Sequence, residues 1–334
     1  MIIIKMPDND SAEALYTQLK TQSPNEYIIY DHQTQLGLTS SAVLQTLTLP
    51  KTAQMMTDAP TALRASRQWH PEDTVIQTAH SQIGGENFTL IAGPDSVESQ
   101  THIDAMAQAV KATGATILRG GSFKPRTNPY SFQGYGESGL KEHRKAADQF
   151  GLDMMTEIMD TRDFDLIDHY TDIFQVGARN MQNFSLLKQL GQQVKPVGLK
   201  RGMSATIDDL LNAAEYILAA GNPNVFLIER GIRTFDNKYT RNTFDVAAVP
   251  VLQQLTHLPV LVDPSHAAGK RSLVQPLALA GVAAGAQGLM IEIHDQPEKA
   301  LVDGAQALTP NELKDIMQKA KAIKTIVKET HADD

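Results

Sequence analysis

From about residue 88 the chain repeats one pattern: a short apolar run, a polar residue closing it, then a stretch with apolar positions three and four apart. Continuous apolar runs mark strands buried on both faces, and the wider spacing marks helices laying one face on them. Strands are expected at 88–92, 116–119, 153–156, 173–176, 197–200, 225–229, 260–263 and 289–292, with helices such as 100–113, 140–150, 207–220 and 273–284 between them. Eight such repeats over about 250 residues fit a closed (β/α)8 TIM barrel of the α/β class better than an open sheet. A doubly wound sheet would be expected to carry a Gly-x-Gly-x-x-Gly turn after its first strand, and the chain has none there.

The first 70 residues follow a different rhythm. Short strands at 2–4, 27–30, 36–44 and 61–66, with helices at 11–21 and 51–58, give the order β-α-β-β-α-β of a small ferredoxin-like α+β unit. The linker-like His70-Pro71-Glu72-Asp73 separates this unit, residues 1–70, from the barrel, 71–334. It carries no constellation of catalytic type, and both packing on the barrel and binding an effector stay open for it. Met55 and Met56 could serve a subunit contact, though a local core is the expected use.

Composition narrows the partners. With 42% hydrophobic and 20% charged residues the chain reads as an ordinary globular protein, and its net charge of −8 argues against a nucleic-acid partner. No apolar run is long enough to span a membrane and the N-terminus lacks the features of a signal peptide, so a cytoplasmic location is expected. The absence of cysteine excludes disulfides and thiolate metal sites.

In a barrel of this kind the site lies at the C-terminal ends of the strands. Those ends read Asp95, Arg119, Glu157, Arg179, Lys200, Arg230, His266 and Glu292, a succession of functional groups where a structural barrel would show Gly, Asn and Ser. Strands one, seven and eight supply Asp95, His266 and Glu292, and closure of the barrel brings strands one and eight together. With Asp303 from the loop after strand eight these make an oxygen and nitrogen set suited to a divalent metal ion. Strands two to six supply Arg119, Lys124, Arg179, Lys200 and Arg230, more positive charge than one phosphate needs. Phosphate plus carboxylate on one small molecule, or two phosphorylated substrates, would use it, although any single arginine could instead be half of a structural ion pair. After Arg119, two glycines allow a sharp turn into Lys124-Pro125-Arg126-Thr127, a stiff loop that adds another guanidinium and a hydroxyl.

The stretches Leu118-Arg119-Gly120-Gly121, Lys124-Pro125-Arg126-Thr127, Gly177-Ala178-Arg179-Asn180, Leu199-Lys200-Arg201-Gly202, Glu229-Arg230-Gly231 and Val262-Asp263-Pro264-Ser265-His266 resemble those of the 3-deoxy-D-arabino-heptulosonate 7-phosphate (DAHP) synthases, type I-beta. The resemblance runs from about residue 70 to the C-terminus. It implies condensation of phosphoenolpyruvate with erythrose 4-phosphate, releasing phosphate, as the first step toward chorismate and the aromatic amino acids. By the same resemblance Arg119, Lys124, Arg179, Lys200 and Arg230 would hold phosphoenolpyruvate, and Arg126 with Thr127 the sugar phosphate. The metal would polarise the aldehyde, Lys124 or a metal-bound water would protonate the new alkoxide and Glu157 would orient the water, with His266 counted among both the catalytic residues and the metal ligands. The first 70 residues resemble, more weakly, the regulatory domain of some members, which implies an aromatic amino acid effector, Phe or Tyr, on a homo-oligomer, a tetramer. The 3-deoxy-D-manno-octulosonate 8-phosphate synthases share the barrel but take arabinose 5-phosphate. Their loop reads Lys-Ala-Asn-Arg-Ser where this chain has Lys124-Pro125-Arg126-Thr127, which favours the four-carbon sugar.

One departure stands out. The family usually reads Gly-Pro-Cys-Ser after the first strand, with the Cys as a metal ligand, whereas this chain reads Gly93-Pro94-Asp95-Ser96. A carboxylate hardens the site and shifts preference toward Mn²⁺ or Mg²⁺. Octulosonate relatives with Asn here do without metal, so a metal-independent enzyme is one alternative; an octulosonate 8-phosphate synthase, or a regulatory homologue weakened by Asp95 in place of the Cys, are the others. Three carboxylates without a cation would repel one another, and Mn²⁺ is the expected cofactor.

Overall fold

The computed structural model describes residues 1–331 except 43, 45, 46, 48 and 125, and residues 328–331 by their backbone alone. The chain divides into two compact units, Met1–Glu72 and Asp73–Asp334. Among the described residues no helix is long and apolar enough to cross a membrane.

The first unit runs β1 (Ile2–Lys5), α1 (Asn9–Gln22), β2 (Ile28–Tyr30), β3 (Gln35–Leu38) and β4 (Gln54–Met56). Its strands pair antiparallel in the order β2-β3-β1-β4, the order and senses of a ferredoxin-like sheet. Ile2, Ile4, Leu36 and Leu38 meet Leu15 and Leu19 of α1 on one face, and Ile3 and Ile29 meet Leu63 and Trp69 on the other. Two expectations fail here. Residues 54–56, assigned to a helix, form the edge strand β4, because the open edge of β1 takes them up in the register Ile4↔Met55. Residues 61–66, assigned to the last strand, form turns that drop Leu63 into the second face. The strand expected at 36–44 stops at Leu38, and Val43 within it lies outside the described residues. Met55 and Met56 are exposed, not part of a local core.

The second unit opens with a hairpin, β5 (Val75–Gln77) and β6 (Gln82–Gly84), that the sequence pattern does not announce. Then come β7 (Thr89–Gly93), β8 (Ile117–Arg119), β9 (Asp153–Ile158), β10 (Ile173–Val176), β11 (Val197–Lys200), β12 (Val225–Glu229), β13 (Val260–Val262) and β14 (Gly288–Glu292). All eight are parallel and close into a barrel through β14 and β7, with Glu292 opposite Gly93. Among the helices outside are α2 (Gln100–Ala112), α3 (Glu137–Phe150), α4 (Phe164–Tyr170), α5 (Phe184–Leu190) and α6 (Ile207–Ala220), followed by α7 (Ala248–Leu255), α8 (Pro264–Ala268), α9 (Arg271–Ala283) and α10 (Pro310–His331). Local chemistry sets their ends: Thr206 and Asp209 form a reciprocal capping box that starts α6, and Gly221 ends it.

The hairpin covers the N-terminal ends of the strands. Thr78 and Ser81 donate to Asp153 at the start of β9, and the Thr74 N–H donates to the carbonyl of His257, just before β13. Ile76 and Ile83 join Ile91, Ile117, Met155, Ile173, Phe226, Ile228, Leu261 and Met290 in one core cluster. Side chains on a strand alternate sides, so the inward register continues two residues on from this layer. That step leads from Ile117 to Arg119, Met155 to Glu157, Ile173 to Gln175, Ile228 to Arg230, Leu261 to Asp263 and Met290 to Glu292. The apolar floor and the polar mouth are successive layers of one barrel.

Candidate active site

At the C-terminal mouth lies a cavity of ≈ 350 Å³. Asp95, Arg119, Lys124, Arg126, Thr127, Glu157, Arg179, Lys200, Arg230, His266 and Asp303 line it, as do Arg233 and Arg241, which the strand-end reading misses. Glu292 lies beneath, in contact with His266 and Arg119. Arg126 and Thr127 are exposed at the rim, and Pro125, the residue expected to stiffen their loop, lies outside the described residues.

Asp95, His266, Glu292 and Asp303 each bring a ligand atom to within 4.8 Å of the others. Gly93 precedes Asp95 because strands β7 and β8 approach so closely that a Cβ there would sit 2.0 Å from the Arg119 carbonyl oxygen. Asp263 caps α8 by accepting the His266 N–H at 3.0 Å, and its Oδ2 lies 2.7 Å from His266 Nδ1. Burial drives the His266 pKa down to about 4 against the pull of Asp263. The ring is therefore neutral near pH 7, with its Nδ1–H given to Asp263 and the Nε2 lone pair turned toward Glu292 Oε1, 3.1 Å away. Asp303 has a left-handed backbone, φ 54°, and is held by both Arg241 amines at 2.8 and 3.1 Å. Gln306 donates to Glu292 Oε2 at 2.5 Å and to Asp303 Oδ2 at 3.3 Å.

Burial alone would raise both Asp95 and Glu292. Lys124 and Arg119 hold Asp95 well below the usual carboxylate range, whereas Glu292, facing the Asp95 charge, is pushed well above it. A divalent ion would relieve that repulsion, and the donor set fits one: three carboxyls and one neutral imidazole converging from neighbouring strand ends and the loop after β14.

The expected separation of charges by sign is not strict. Arg119 reaches into the carboxylate set, 3.3 Å from Asp95 and 3.1 Å from Glu292, and Lys124 lies 2.5 Å from Asp95 Oδ2. Lys200 donates to Asp263 Oδ2 at 2.6 Å. Buried cations need partners, and strand β8 lies directly beside β7. Arg230 differs from these: burial lowers its pKa, Arg241 and Arg179 repel it further, and Asp263 only partly compensates.

Glu157 is raised by burial, with Lys124 and Lys200 pulling it back, and it accepts a hydrogen bond from Gln175 at 3.3 Å. Its place depends on Gly177, where a Cβ would fall 1.9 Å from Glu157 Oε1. Asp263 and Gln175 are residues that the strand-end reading missed and that the two-residue register of the strands could have found. Arg241 and Gln306 arrive from loops and had no such signal.

Residues 72–329 match the family profile described as the DAHP synthetase I family. A phospho-2-dehydro-3-deoxyheptonate aldolase of Thermotoga maritima is 50% identical over 258 residues, which are 77% of this chain and 76% of that protein. The crystal structure of a Thermotoga maritima phospho-2-dehydro-3-deoxyheptonate aldolase (DAHP synthase) covers 98% of this chain and 97% of its own, at 40% identity and a TM-score of 0.78. A 2-dehydro-3-deoxyphosphooctonate aldolase of Syntrophotalea carbinolica is 31% identical over 272 residues, 76% of this chain and 97% of that protein. With the barrel, the converging donor set and these matches together, the chain belongs to the DAHP synthetase I family.

Proposed function

We propose that the chain condenses phosphoenolpyruvate with erythrose 4-phosphate and water to give DAHP and phosphate. The observation that carries this reading is the crowding of cations around Arg230. A buried guanidinium repelled by Arg179 and Arg241 gains most from an anion with several oxygens, and phosphoenolpyruvate brings a phosphate and a carboxylate on one small body. The greater identity to the Thermotoga heptonate aldolase than to the octonate aldolase supports the four-carbon sugar.

Asp95, His266, Glu292 and Asp303 would hold the divalent ion, Mn²⁺ on the hardness of three carboxyls, which would supply Lewis-acid polarisation of the sugar aldehyde. Arg119, Lys200, Arg179 and Arg230 fix phosphoenolpyruvate while Arg126 and Thr127 take the sugar phosphate at the rim. The methylene carbon then bonds to the aldehyde carbon, and Lys124 Nζ, held among the reacting groups by Asp95, gives a proton to the new alkoxide. Glu157 orients the water that adds to the former enol carbon and accepts its proton, a role its raised pKa suits. The hemiketal phosphate collapses with cleavage of its C–O bond, leaving the ketone and inorganic phosphate. For Met1–Glu72 our reading is a regulatory unit for Phe or Tyr on a homo-oligomer, supported by its ferredoxin-like strand order.

The test is phosphate release by chelator-stripped protein with and without Mn²⁺, with arabinose 5-phosphate as control sugar. Activity restored by Mn²⁺ with erythrose 4-phosphate is expected. Undiminished activity after stripping would overturn the metal assignment, and preference for the five-carbon sugar would overturn the substrate. Deleting residues 1–72 is expected to leave catalysis and abolish inhibition by Phe or Tyr; unchanged inhibition would remove the regulatory reading.

A further inference from the structure

Beside the catalytic donor set, and separate from it, Glu98, His102 and His294 each bring a ligand atom to within 4.8 Å of the others. We propose that these three residues form a second metal site, one that takes a borderline divalent ion of the zinc class.

Geometry points to a ligand here. The His102 side chain is only 9% exposed, yet among the described residues neither of its ring nitrogens has a hydrogen-bond partner. A buried imidazole left in that state loses its hydration without return, and an ion bound to one nitrogen would replace what was lost. The rings of His102 and His294 lie 4.2 Å apart between centroids, and His294 Nε2 is 3.3 Å from Glu98 Oε2. Behind them, Asp295 Oδ1 lies 3.1 Å from His294 Nδ1 and 3.4 Å from His102 Nε2, a contact too poorly aligned to be a hydrogen bond to His102; with an ion on the opposite nitrogens, this carboxylate would take up the imidazole N–H groups. The Gln296 N–H donates to His294 Nδ1 at 3.0 Å, which leaves the ring proton on Nε2, facing Glu98. An ion on Nε2 would place the ring proton on Nδ1, where Asp295 Oδ1 accepts it and the Gln296 N–H gives up its bond to that nitrogen.

The three ligands come from both sides of the barrel seam. Glu98 precedes Ser99, the N-cap of α2; His102 lies in the first turn of α2; His294 follows β14. Glu98 Oε1 also accepts the Leu301 N–H at 2.8 Å, two residues before Asp303. An ion here ties the segment after β7 to the loop after β14, and so braces both segments that present Asp95, Glu292 and Asp303. Two imidazoles and one carboxylate favour Zn²⁺, Co²⁺ or Ni²⁺, whereas one imidazole and three carboxyls favour Mn²⁺ or Mg²⁺.

The experiment is a titration of metal-stripped full-length protein with Co²⁺ and Zn²⁺, bound metal being counted by elemental analysis and Co²⁺ followed by its visible spectrum. The expected result is two ions per chain in the wild type and one in both His102→Gln and Glu98→Gln. His266→Gln should lose the other ion and keep the nitrogen-rich Co²⁺ spectrum. Circular dichroism confirms folding, and Glu98→Gln, at the more accessible ligand, stands in should His102→Gln unfold. A single ion in the wild type, lost with His266→Gln, overturns the proposal, as does a second ion that survives both His102→Gln and Glu98→Gln. Because the count does not depend on turnover, it stands apart from the catalytic reading.

Discussion

The ammonium of Lys124 lies 2.5 Å from Asp95 Oδ2 and 2.8 Å from the Asp95 carbonyl oxygen, so one lysine holds the aspartate that follows strand β7 by both side chain and backbone. A divalent ion held by Asp95, as proposed above, would share that carboxylate with Lys124, so the position would be contested between two cations. Asp95→Cys is expected to raise the preference for Zn²⁺ over Mn²⁺ and to weaken the hold on Lys124. Competition binding of the two ions to wild type and variant checks it; an unchanged ratio removes Asp95 from the metal set.

Asp263 holds His266 by its backbone N–H and its ring, at 3.0 and 2.7 Å. Partners of this kind typically cost roughly 10–100-fold in metal affinity when altered. Asp263→Asn is expected to weaken Mn²⁺ binding by about that factor with the fold intact, measured by the Mn²⁺ concentration at half-maximal activity.

Gly177 is the only residue type that leaves room for Glu157, since any Cβ would fall 1.9 Å from its Oε1. Displacement of a catalytic group by about 1 Å costs on the order of 10²-fold. Gly177→Ala is therefore expected to lower kcat by about that much while the binding of phosphoenolpyruvate, followed by calorimetry, changes little.

His143 is fully buried, and burial lowers its pKa from 6.5 to about 3, its Nε2–H donating to the Leu118 carbonyl at 3.2 Å. The folded state refuses a proton that the unfolded state accepts, so this contribution to stability is present above pH 6.5 and is lost as the pH falls toward 3. Its slope is at most about 1.4 kcal/mol per pH unit. In His143→Gln that part of the acid sensitivity should vanish. Urea melts of both proteins from neutral to mildly acidic pH would show it, and parallel pH profiles would disprove it.

The barrel is legible in the sequence because its strands are buried on both faces: Ile173–Val176, Val197–Lys200 and Val225–Glu229 stand out as apolar runs with nothing but burial to explain them. Gln54–Met56 carries no such mark; three residues become a strand only because Ile3–Lys5 offers them an open edge, a long-range fact. The site divides the same way. Groups at strand ends follow from topology, but their pairings do not. That Arg119 serves the carboxylates, and that Lys200 and His266 share Asp263, depends on which inward side chains are long enough to meet across the barrel.

The hairpin beneath the barrel has a consequence for traffic. Ile76 and Ile83 pack into the apolar layer beneath the site, Lys200 and Arg230 lie buried in the cavity, and Arg126 and Thr127 stand exposed at its lip. If the lower cations hold one substrate and the lip the other, as proposed above, the lower one would have to arrive first and the upper one would block its retreat. A queue is thus built into the architecture. Initial-rate and product-inhibition patterns should show compulsory-order binding with phosphoenolpyruvate leading, and a random pattern would mean that the lip opens wide enough for the two to pass.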